Sequence, residues 1–233
     1  MSDAVLMPVY NEAGTIENVL DAVRRHYDGE VLVVNDGSTD QTSMVLAQRA
    51  DVTVITHPVN LGYGRALAEG FAVARTRGVS RVVTMDCDGQ HEPAHIPGFL
   101  DRLQTGFDIV SGSRYLPDST VLGVAPPSRR EVNERVSREI NKVTGWGLTD
   151  AFCGFKAYRL EALEGIELRE PGYAMPLELW AKAYRAGLRV IEIPVERIYC
   201  DHDRSFGSEL DDPDLRYAYY MRVWHAALEG RDG

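Results

Sequence analysis

The first half of the chain alternates short apolar runs with amphipathic stretches, and this alternation restricts the fold more than any other feature. Runs that are typical of buried strands occupy residues 4–8, 30–35, 52–56, 81–86 and 108–111. Between them, apolar side chains recur at helical spacing, at residues 16–23, 40–50, 67–74 and 95–103. Repeated βα units require crossover connections, so the pattern predicts an α/β fold with a mostly parallel sheet flanked by helices.

The second half predicts a different mixture of elements. Residues 117–128 contain three prolines and little periodicity, which predicts a loop. Residues 201–214 are rich in aspartate and predict an exposed acidic loop. Helical and strand patterns fill the remainder, with helices at 130–144, 174–186 and 215–228 and a strand at 188–194. We expect one domain over residues 1–200, with the acidic loop and the last helix (201–233) packed on it.

Two aspartates close the strand pattern at 81–86. Asp86 and Asp88 are spaced i, i+2, which on a strand places both carboxylates on one face and Cys87 on the other. Ligands of open α/β sheets bind outside the carboxyl ends of the strands. Carboxylates crowded there repel each other unless a cation lies between them. Asp86, Asp88 and Gln90 therefore predict a site for Mg²⁺ or Mn²⁺ that holds the phosphates of a nucleotide.

Polar and aromatic side chains also follow the first two predicted strands. Pro8, Tyr10 and Glu12 follow the first strand, where a ring and a carboxylate are suited to stack on and hydrogen-bond a base. The alternative is a strand-to-helix turn in which Tyr10 is only a packing residue. Asp36 follows the second strand and is suited to accept a hydrogen bond from a base or a ribose, or it belongs only to a turn.

Three further charged residues have two interpretations each. Arg114 follows the fifth strand, where its guanidinium either grips a phosphate or forms a surface ion pair. Asp150 opens a tight aromatic turn and is a candidate base or acceptor-orienting group, while Phe152 and Phe155 in that turn are expected in the core. Glu178 lies in an otherwise apolar helical segment, where it either faces the site or forms a structural salt bridge, because an unpaired buried carboxylate is costly.

Charge and cysteine usage narrow the range of partners. The formal net charge is −10, which argues against nucleic acid as the main partner, because phosphate backbones require a basic surface. Cys87, Cys153 and Cys200 form no CxxC pair, which is typical of a reducing setting. No signal-peptide pattern and no membrane-spanning run are visible. We therefore expect a cytoplasmic protein that meets any lipid-linked substrate at the membrane surface.

Six segments occur in one order with regular gaps, namely PVYNE, NDGSTDQT, NLGYGRA, MDCDGQHEP, GSRY and DAFCGFKAYR. Together they resemble family 2 glycosyltransferases of the GT-A fold, and most closely the dolichyl- or polyprenyl-phosphate mannosyltransferase branch. The resemblance covers roughly residues 4–200. It implies a metal-dependent, inverting transfer of a hexose from a GDP- or UDP-sugar to an acceptor, which on this branch is a polyprenyl phosphate.

The resemblance also implies roles for individual residues. The nucleoside would be held by Pro8, Tyr10, Glu12 and Asp36. The metal and the diphosphate would be held by Asp86, Asp88 and Gln90. The acceptor phosphate would meet Arg114 together with Arg129 or Arg130. Asp150 matches the acid that opens the family's aromatic turn, and it would be the general base only for a hydroxyl acceptor, because a phosphate is already an anion.

The chain departs from the pattern of this branch in two regions. Glu209 stands near the position of an expected lysine, Asp211 and Asp212 add negative charge, and Asn133 stands where the branch tends to carry arginine. Because negative charge repels an anionic head group, a soluble or protein-bound hydroxyl acceptor remains an alternative, as does a non-catalytic sugar-nucleotide-binding protein. The aromatic helix at 215–228 is expected to dock on the protein body or on a second subunit of a homodimer, with peripheral membrane contact as the alternative.

Overall fold

The computed structural model describes residues 2–122, 127–198 and 208–231. Its strands are β1 (Asp3–Val9), β2 (Glu30–Asn35), β3 (Thr53–Thr56), β4 (Arg81–Thr84), β5 (Ile109–Ser113), β6 (Val121–Leu122), β7 (Lys156–Arg159), β8 (Val190–Pro194) and β9 (Arg197–Ile198). Its α-helices are α1 (Ile16–His26), α2 (Thr42–Leu46), α3 (Tyr63–Thr76), α4 (Ile96–Gln104), α5 (Pro127–Thr144), α6 (Met175–Arg185) and α7 (Pro213–Leu228).

Seven of the described strands form one sheet in the order β3-β2-β1-β4-β7-β5-β8. The pairs β1–β2, β1–β4, β2–β3 and β5–β8 are parallel. Strand β7 runs antiparallel to both of its neighbours, β4 and β5. Strands β6 and β9 form a separate parallel pair. The prediction of an α/β fold with a mostly parallel sheet flanked by helices is therefore confirmed.

The central strands are buried on both faces of the sheet, which explains their continuous apolar sequences. Successive side chains point to opposite faces. Leu6 and Leu32 belong to the core that includes residues of α3, α5, α6 and α7. Val5 and Val31 belong to the core on the other face, which includes residues of α1, α2 and α4. Two helical layers thus cover one sheet.

Helix α7 packs on the protein body, which is one of the two predicted positions for the aromatic helix. It begins after Asp212, whose side chain accepts hydrogen bonds from the backbone N–H groups of Asp214 and Leu215. Tyr220 and Trp224 are buried in the core that also contains residues of α6. Within the parts of the chain that are described, no helix is both long and apolar enough to cross a bilayer. Half of the predicted acidic loop, residues 201–207, lies outside the described residues.

Three elements differ from the sequence predictions. The helix predicted at 40–50 is only α2, since the chain leaves the helix after Leu46 and reaches β3 at Thr53 through a turn in which Asp51 accepts hydrogen bonds from Arg24 and Arg49. The loop predicted at 117–128 contains β6 and the first turn of α5, which begins at a proline, a residue that tolerates the first helical position. Strand β7 was not predicted, because its four residues begin and end with a basic side chain.

Gly70 permits the close approach of α3 to β1, because a Cβ atom there would lie 2.3 Å from Cδ1 of the buried Leu6. We expect Gly70→Ala to lower the free energy of unfolding by about 1–3 kcal/mol, the usual cost of overpacking a core. Urea unfolding followed by circular dichroism measures this change. Gly98→Ala on α4 is the matched control; its added Cβ meets no atom within 4 Å, and it should raise stability by about 0.4–1 kcal/mol. Equal effects of the two substitutions would contradict the packing argument.

Candidate active site

A cavity of about 380 Å³ opens beyond the carboxyl ends of β1, β2 and β4. This is where open α/β sheets bind ligands. The cavity brings together seven of the predicted site residues, namely Pro8, Tyr10, Glu12, Asp36, Asp86, Asp88 and Arg114. Three other predicted site residues, Gln90, Arg130 and Asp150, are not among the residues that line it.

Asp86 and Asp88 lie in the bend that follows β4 rather than on the strand itself. The strand ends at Thr84, so strand alternation does not orient the two carboxylates, and that part of the prediction is wrong. Both carboxylates nevertheless line the cavity. Between them, the buried Cys87 donates a hydrogen bond from Sγ to the carbonyl oxygen of Pro8 at 3.4 Å. This contact ties the bend to the end of β1.

His91 holds Asp86 in place. Its Nδ1 accepts a hydrogen bond from the backbone N–H of Asp86 at 3.0 Å, which assigns the hydrogen of the neutral ring to Nε2. That Nε2 lies 3.8 Å from Oδ2 of Asp86. The imidazole stacks on Phe155, with 5.1 Å between the ring centroids. Burial lowers the pKa of His91, so the ring is kept in its neutral form.

The Asp86 carboxylate has the chemical character of a cation ligand. Burial, together with the nearby carboxylate of Asp88, raises the pKa of Asp86. Its Oδ1 is buried and has no hydrogen-bond partner among the described residues. Gly154 lies against the other oxygen, since a Cβ atom there would be 2.5 Å from Oδ2. A buried polar oxygen without a partner is costly, and a hard divalent cation shared with Asp88 would remove that cost.

Gln90 is placed differently from the prediction. Its backbone N–H donates to Oδ1 of Asp88 at 2.9 Å, so the residue orients Asp88 through its main chain. Because it does not line the cavity, the geometry gives no support to its side chain as a metal ligand. Across residues 2–122, 127–198 and 208–231, no group of three or more His, Cys, Asp or Glu side chains is arranged to hold a metal. Any cation here would need further ligands, such as water or substrate oxygens.

Asp150 is wholly buried and bound to Arg114. Its carboxylate accepts hydrogen bonds from Nε of Arg114 at 2.7 Å and from Nη2 at 3.0 Å. Burial alone would raise the pKa of Asp150, but the Arg114 guanidinium outweighs burial and lowers it. A buried carboxylate that is already bound to a guanidinium is poorly placed to take a proton, so the structure gives no support to Asp150 as a general base. Its position makes it the residue that orients Arg114, which does line the cavity.

The turn that carries Asp150 is held from two sides. Glu192 on β8 accepts hydrogen bonds from the backbone N–H groups of Thr149 at 2.8 Å and Asp150 at 2.9 Å. Burial raises the pKa of Glu192. Asn133 on α5 donates to the carbonyl of Thr149 at 2.9 Å and accepts from the N–H of Ala151 at 3.1 Å. The asparagine that departs from the branch pattern thus has a defined structural contact here.

The sequence left open whether Arg129 or Arg130 joins Arg114, and the structure favours Arg129. Arg129 lines the cavity. Arg130 is exposed, and its Nε lies 2.8 Å from a carboxylate oxygen of Glu134 one helical turn away on α5. The prediction that Arg130 contacts a ligand is therefore not supported, because this side chain does not line the cavity.

A second wall of the cavity is aromatic and includes residues that the sequence argument missed. Phe152, predicted in the core, lines the cavity and packs against Tyr220 with 4.7 Å between ring centroids, whereas Phe155 is fully buried as predicted. Arg216, from the same helix as Tyr220, also lines the cavity although it is only 3% exposed. The i, i+4 spacing of Arg216 and Tyr220 places them on one face of α7, and this was the signal available in the sequence.

Asp36 lines the cavity and also binds the backbone of the neighbouring segment. Its two carboxylate oxygens accept hydrogen bonds from the backbone N–H groups of Leu61 and Gly62, each at 2.8 Å. Tyr10 lies on the same side of the cavity and is 44% exposed, which leaves its ring accessible to a ligand.

Glu178, in contrast, is buried away from the cavity and lies 2.7 Å from Nζ of Lys182. Of the two interpretations of Glu178, the structural salt bridge is the one observed.

The Asp150–Arg114 pair predicts a pH-dependent stability difference. Because the pKa of Asp150 is lowered in the folded state, its stabilising contribution is present above the unfolded value of about 3.9 and is lost as pH falls through the folded pKa. We expect Asp150→Asn to lower the free energy of unfolding by about 3–5 kcal/mol near pH 7, as for a broken buried ion pair, and by less near pH 3. Denaturant unfolding at both pH values measures the difference. Asp101→Asn, on the exposed surface of α4, is the control. If Asp150→Asn lowered the free energy of unfolding by the same amount at both pH values, that result would contradict the assignment of Asp150 as the ionised partner of Arg114.

Comparison with known proteins gives the family. The profile described as Glycosyl transferase family 2 matches residues 4–166. The chain is 34% identical to the polyprenol monophosphomannose synthase of Mycolicibacterium smegmatis, covering 97% of this chain and 87% of that protein. It is 32% identical to the undecaprenyl-phosphate mannosyltransferase of Micrococcus luteus, covering 82% of this chain and 81% of that protein.

A solved structure supports the same fold. Glucosyl-3-phosphoglycerate synthase from Mycobacterium tuberculosis, crystallised with Mn²⁺, UDP and glucosyl-3-phosphoglycerate, aligns with a TM-score of 0.72 at 23% identity, covering 98% of this chain and 80% of that one. The predicted GT-A fold is thereby confirmed. The profile match, the two relatives and the fold agree, and this chain belongs to glycosyl transferase family 2.

Proposed function

We propose that this protein is an inverting hexosyltransferase that moves a hexose from a GDP- or UDP-sugar to a polyprenyl phosphate. The observation that carries the proposal is the composition of the cavity, in which the Asp86–Asp88 pair lies together with Arg114, Arg129 and Arg216. Relatives named for polyprenol and undecaprenyl phosphate substrates support the acceptor. The structural neighbour crystallised with UDP and Mn²⁺ supports the donor and the metal.

On the donor side, Asp86 and Asp88 would hold Mg²⁺ or Mn²⁺. When bound, such an ion neutralises the charge that develops on the leaving nucleoside diphosphate. The buried, unpartnered Oδ1 of Asp86 supports this assignment. His91 and the backbone N–H of Gln90 orient the two carboxylates. The nucleoside would lie against Pro8, Tyr10, Glu12 and Asp36, which share one side of the cavity.

On the acceptor side, the charges suit a phosphate. A guanidinium binds phosphate oxygens in a two-pronged arrangement, and the buried Asp150 fixes the orientation of Arg114 for this contact. A phosphate oxygen is already an anion, so it attacks the anomeric carbon from the face opposite the leaving group without a general base. The aromatic wall that includes Phe152 and Tyr220 would contact the apolar chain that follows the phosphate. The protein would meet this lipid at the membrane surface.

The absence of an available base argues against the hydroxyl acceptor. A hydroxyl requires a group that takes its proton in the transition state. In the described part of the chain, the carboxylates that line the cavity are Glu12, Asp36, Asp86 and Asp88. Asp36 is engaged by backbone N–H groups, Glu12 accepts a hydrogen bond from Thr15 at 2.7 Å, and the aspartate pair is assigned to the cation. The remaining candidate, Asp150, is buried behind Arg114.

The test is hexose transfer to a short polyprenyl phosphate, measured with GDP- and UDP-sugars in the presence of Mn²⁺. We expect the wild type to form the lipid-linked product from one of the two donors. Asp88→Asn should reduce the rate by about 100-fold or more, because it removes charge that acts on the leaving group. Asp101→Asn, away from the cavity, should retain wild-type activity.

Two results would contradict the proposal in different ways. Transfer only to a soluble hydroxyl acceptor would leave the reaction class intact and overturn the acceptor. Binding of a sugar nucleotide without turnover on any acceptor, with Asp88→Asn indistinguishable from the wild type, would favour the non-catalytic alternative.

A further inference from the structure

His57 lies between two carboxylates directly behind the cavity wall. Its Nδ1 is 2.6 Å from Oδ1 of Asp36, and its Nε2 is 3.0 Å from Oε2 of Glu69. The His57 and Asp36 side chains are each only 4% exposed. His57 follows β3, Asp36 follows β2 and Glu69 lies on α3, so this triad joins three elements of the fold. His57 itself does not line the cavity.

Both ring nitrogens of His57 lie against carboxylates, and Asp36 gains a third contact from the ring. Beside the backbone N–H groups of Leu61 and Gly62, the Nδ1 atom of His57 lies within hydrogen-bond distance of Oδ1 of Asp36. A buried carboxylate without such partners would be costly, so the contact with His57 fixes the position of the Asp36 side chain.

Asp36 connects His57 to the cavity wall. It holds the backbone of Leu61 and Gly62 immediately before α3. Gly62 has φ +101° and no room for a side chain, since a Cβ atom would lie 2.3 Å from the carbonyl oxygen of Pro171. Asp36, Gly62 and the following Tyr63 all line the cavity. A change in the orientation of Asp36 would therefore displace the wall from its present contacts.

We propose that His57 is a positioning residue for donor binding, which fixes Asp36 and the 60–62 segment so that they fit the nucleoside. This inference rests on the proposed function, because it takes a nucleoside diphosphate as the ligand of this side of the cavity. The metal-binding pair is held by different contacts, through His91 and Gln90. Loss of His57 should therefore weaken nucleotide binding while leaving binding of the cation unchanged.

The experiment measures binding of UDP and of GDP in Mn²⁺ by isothermal titration calorimetry. We expect His57→Gln to weaken binding of the preferred nucleotide by about tenfold, because the 2.6 Å contact between Nδ1 and Asp36 is lost. His57→Asn, whose amide nitrogen approximates the position of Nδ1, should recover part of that loss. Glu69→Gln, at a side chain that is 36% exposed, should give a smaller loss and serves as the second variant if His57→Gln does not fold.

The control and a second readout separate positioning from general destabilisation. His95→Gln removes a comparable histidine contact, 2.6 Å from Glu196 and outside the cavity lining, and should bind nucleotide as the wild type does. Mn²⁺ binding without nucleotide, followed by electron paramagnetic resonance, should be unchanged in the His57 variants. In steady-state transfer, the KM for the donor should rise while kcat and the KM for the acceptor stay within about twofold.

Nucleotide binding by His57→Gln or Glu69→Gln that equals wild-type binding would overturn the inference alone. An equal loss of Mn²⁺ binding and nucleotide binding would also overturn it, because that result indicates a general structural defect. A wild type that binds neither UDP nor GDP in Mn²⁺ would overturn the proposed function, and the inference with it.

Discussion

The structure around the site has to hold the carboxylate of Asp86 in a position that is unfavourable without a bound cation. One of its oxygens is buried without a hydrogen-bond partner among the described residues, beside the second carboxylate of Asp88. Such a group costs free energy unless a cation is bound, and several contacts hold it there. His91 fixes its backbone, and Gly154 lets the neighbouring main chain approach its other oxygen. Strand β7 brings Gly154 to that position, because it runs antiparallel to β4 and so places the preceding turn beside the carboxyl end of β4.

The two buried acids of the site, Asp36 and Asp150, have partners instead. Asp150 is compensated by Arg114, and Asp36 by His57 and two backbone N–H groups. Of these three aspartates, only Asp86 has an oxygen that is left for an external cation. This difference explains why two aspartates serve as supports and one, with Asp88, is suited to bind a metal. Although the chain is acidic overall, the cavity thus carries three arginines, Arg114, Arg129 and Arg216.

Much of the fold was predictable from local sequence. The apolar runs of β1 and β2 match the observed strands to within about one residue at each end, since both faces of these strands are buried. The location of the cavity followed from the rule for parallel sheets, and the aspartate pair and Arg114 line it as predicted. Strand β7 was not predictable, because a four-residue segment with basic ends carries no strand periodicity.

Residue roles were harder to predict where they depend on contacts across the sequence. Asp150 looked like a base, and only the distance to Arg114, 36 positions earlier, shows that it is a support. Arg129 and Arg130 differ by one position on a helix, which turns one toward the cavity and the other toward Glu134. The link between His57 and Asp36 spans 21 positions and has no local signal. These roles follow from tertiary packing, which residue spacing alone does not encode.

The most direct test of this account compares the stability of wild type and Asp86→Asn in urea, with and without Mn²⁺. If the buried Oδ1 of Asp86 is unsatisfied in the absence of metal, Asp86→Asn should be more stable than the wild type by about 1–3 kcal/mol in a chelating buffer. Mn²⁺ at about 100 times its Kd should then stabilise the wild type by about 2.7 kcal/mol and leave the variant almost unchanged. A variant that is less stable than the wild type without metal, or that gains the same stability from Mn²⁺, would contradict the assignment of Asp86.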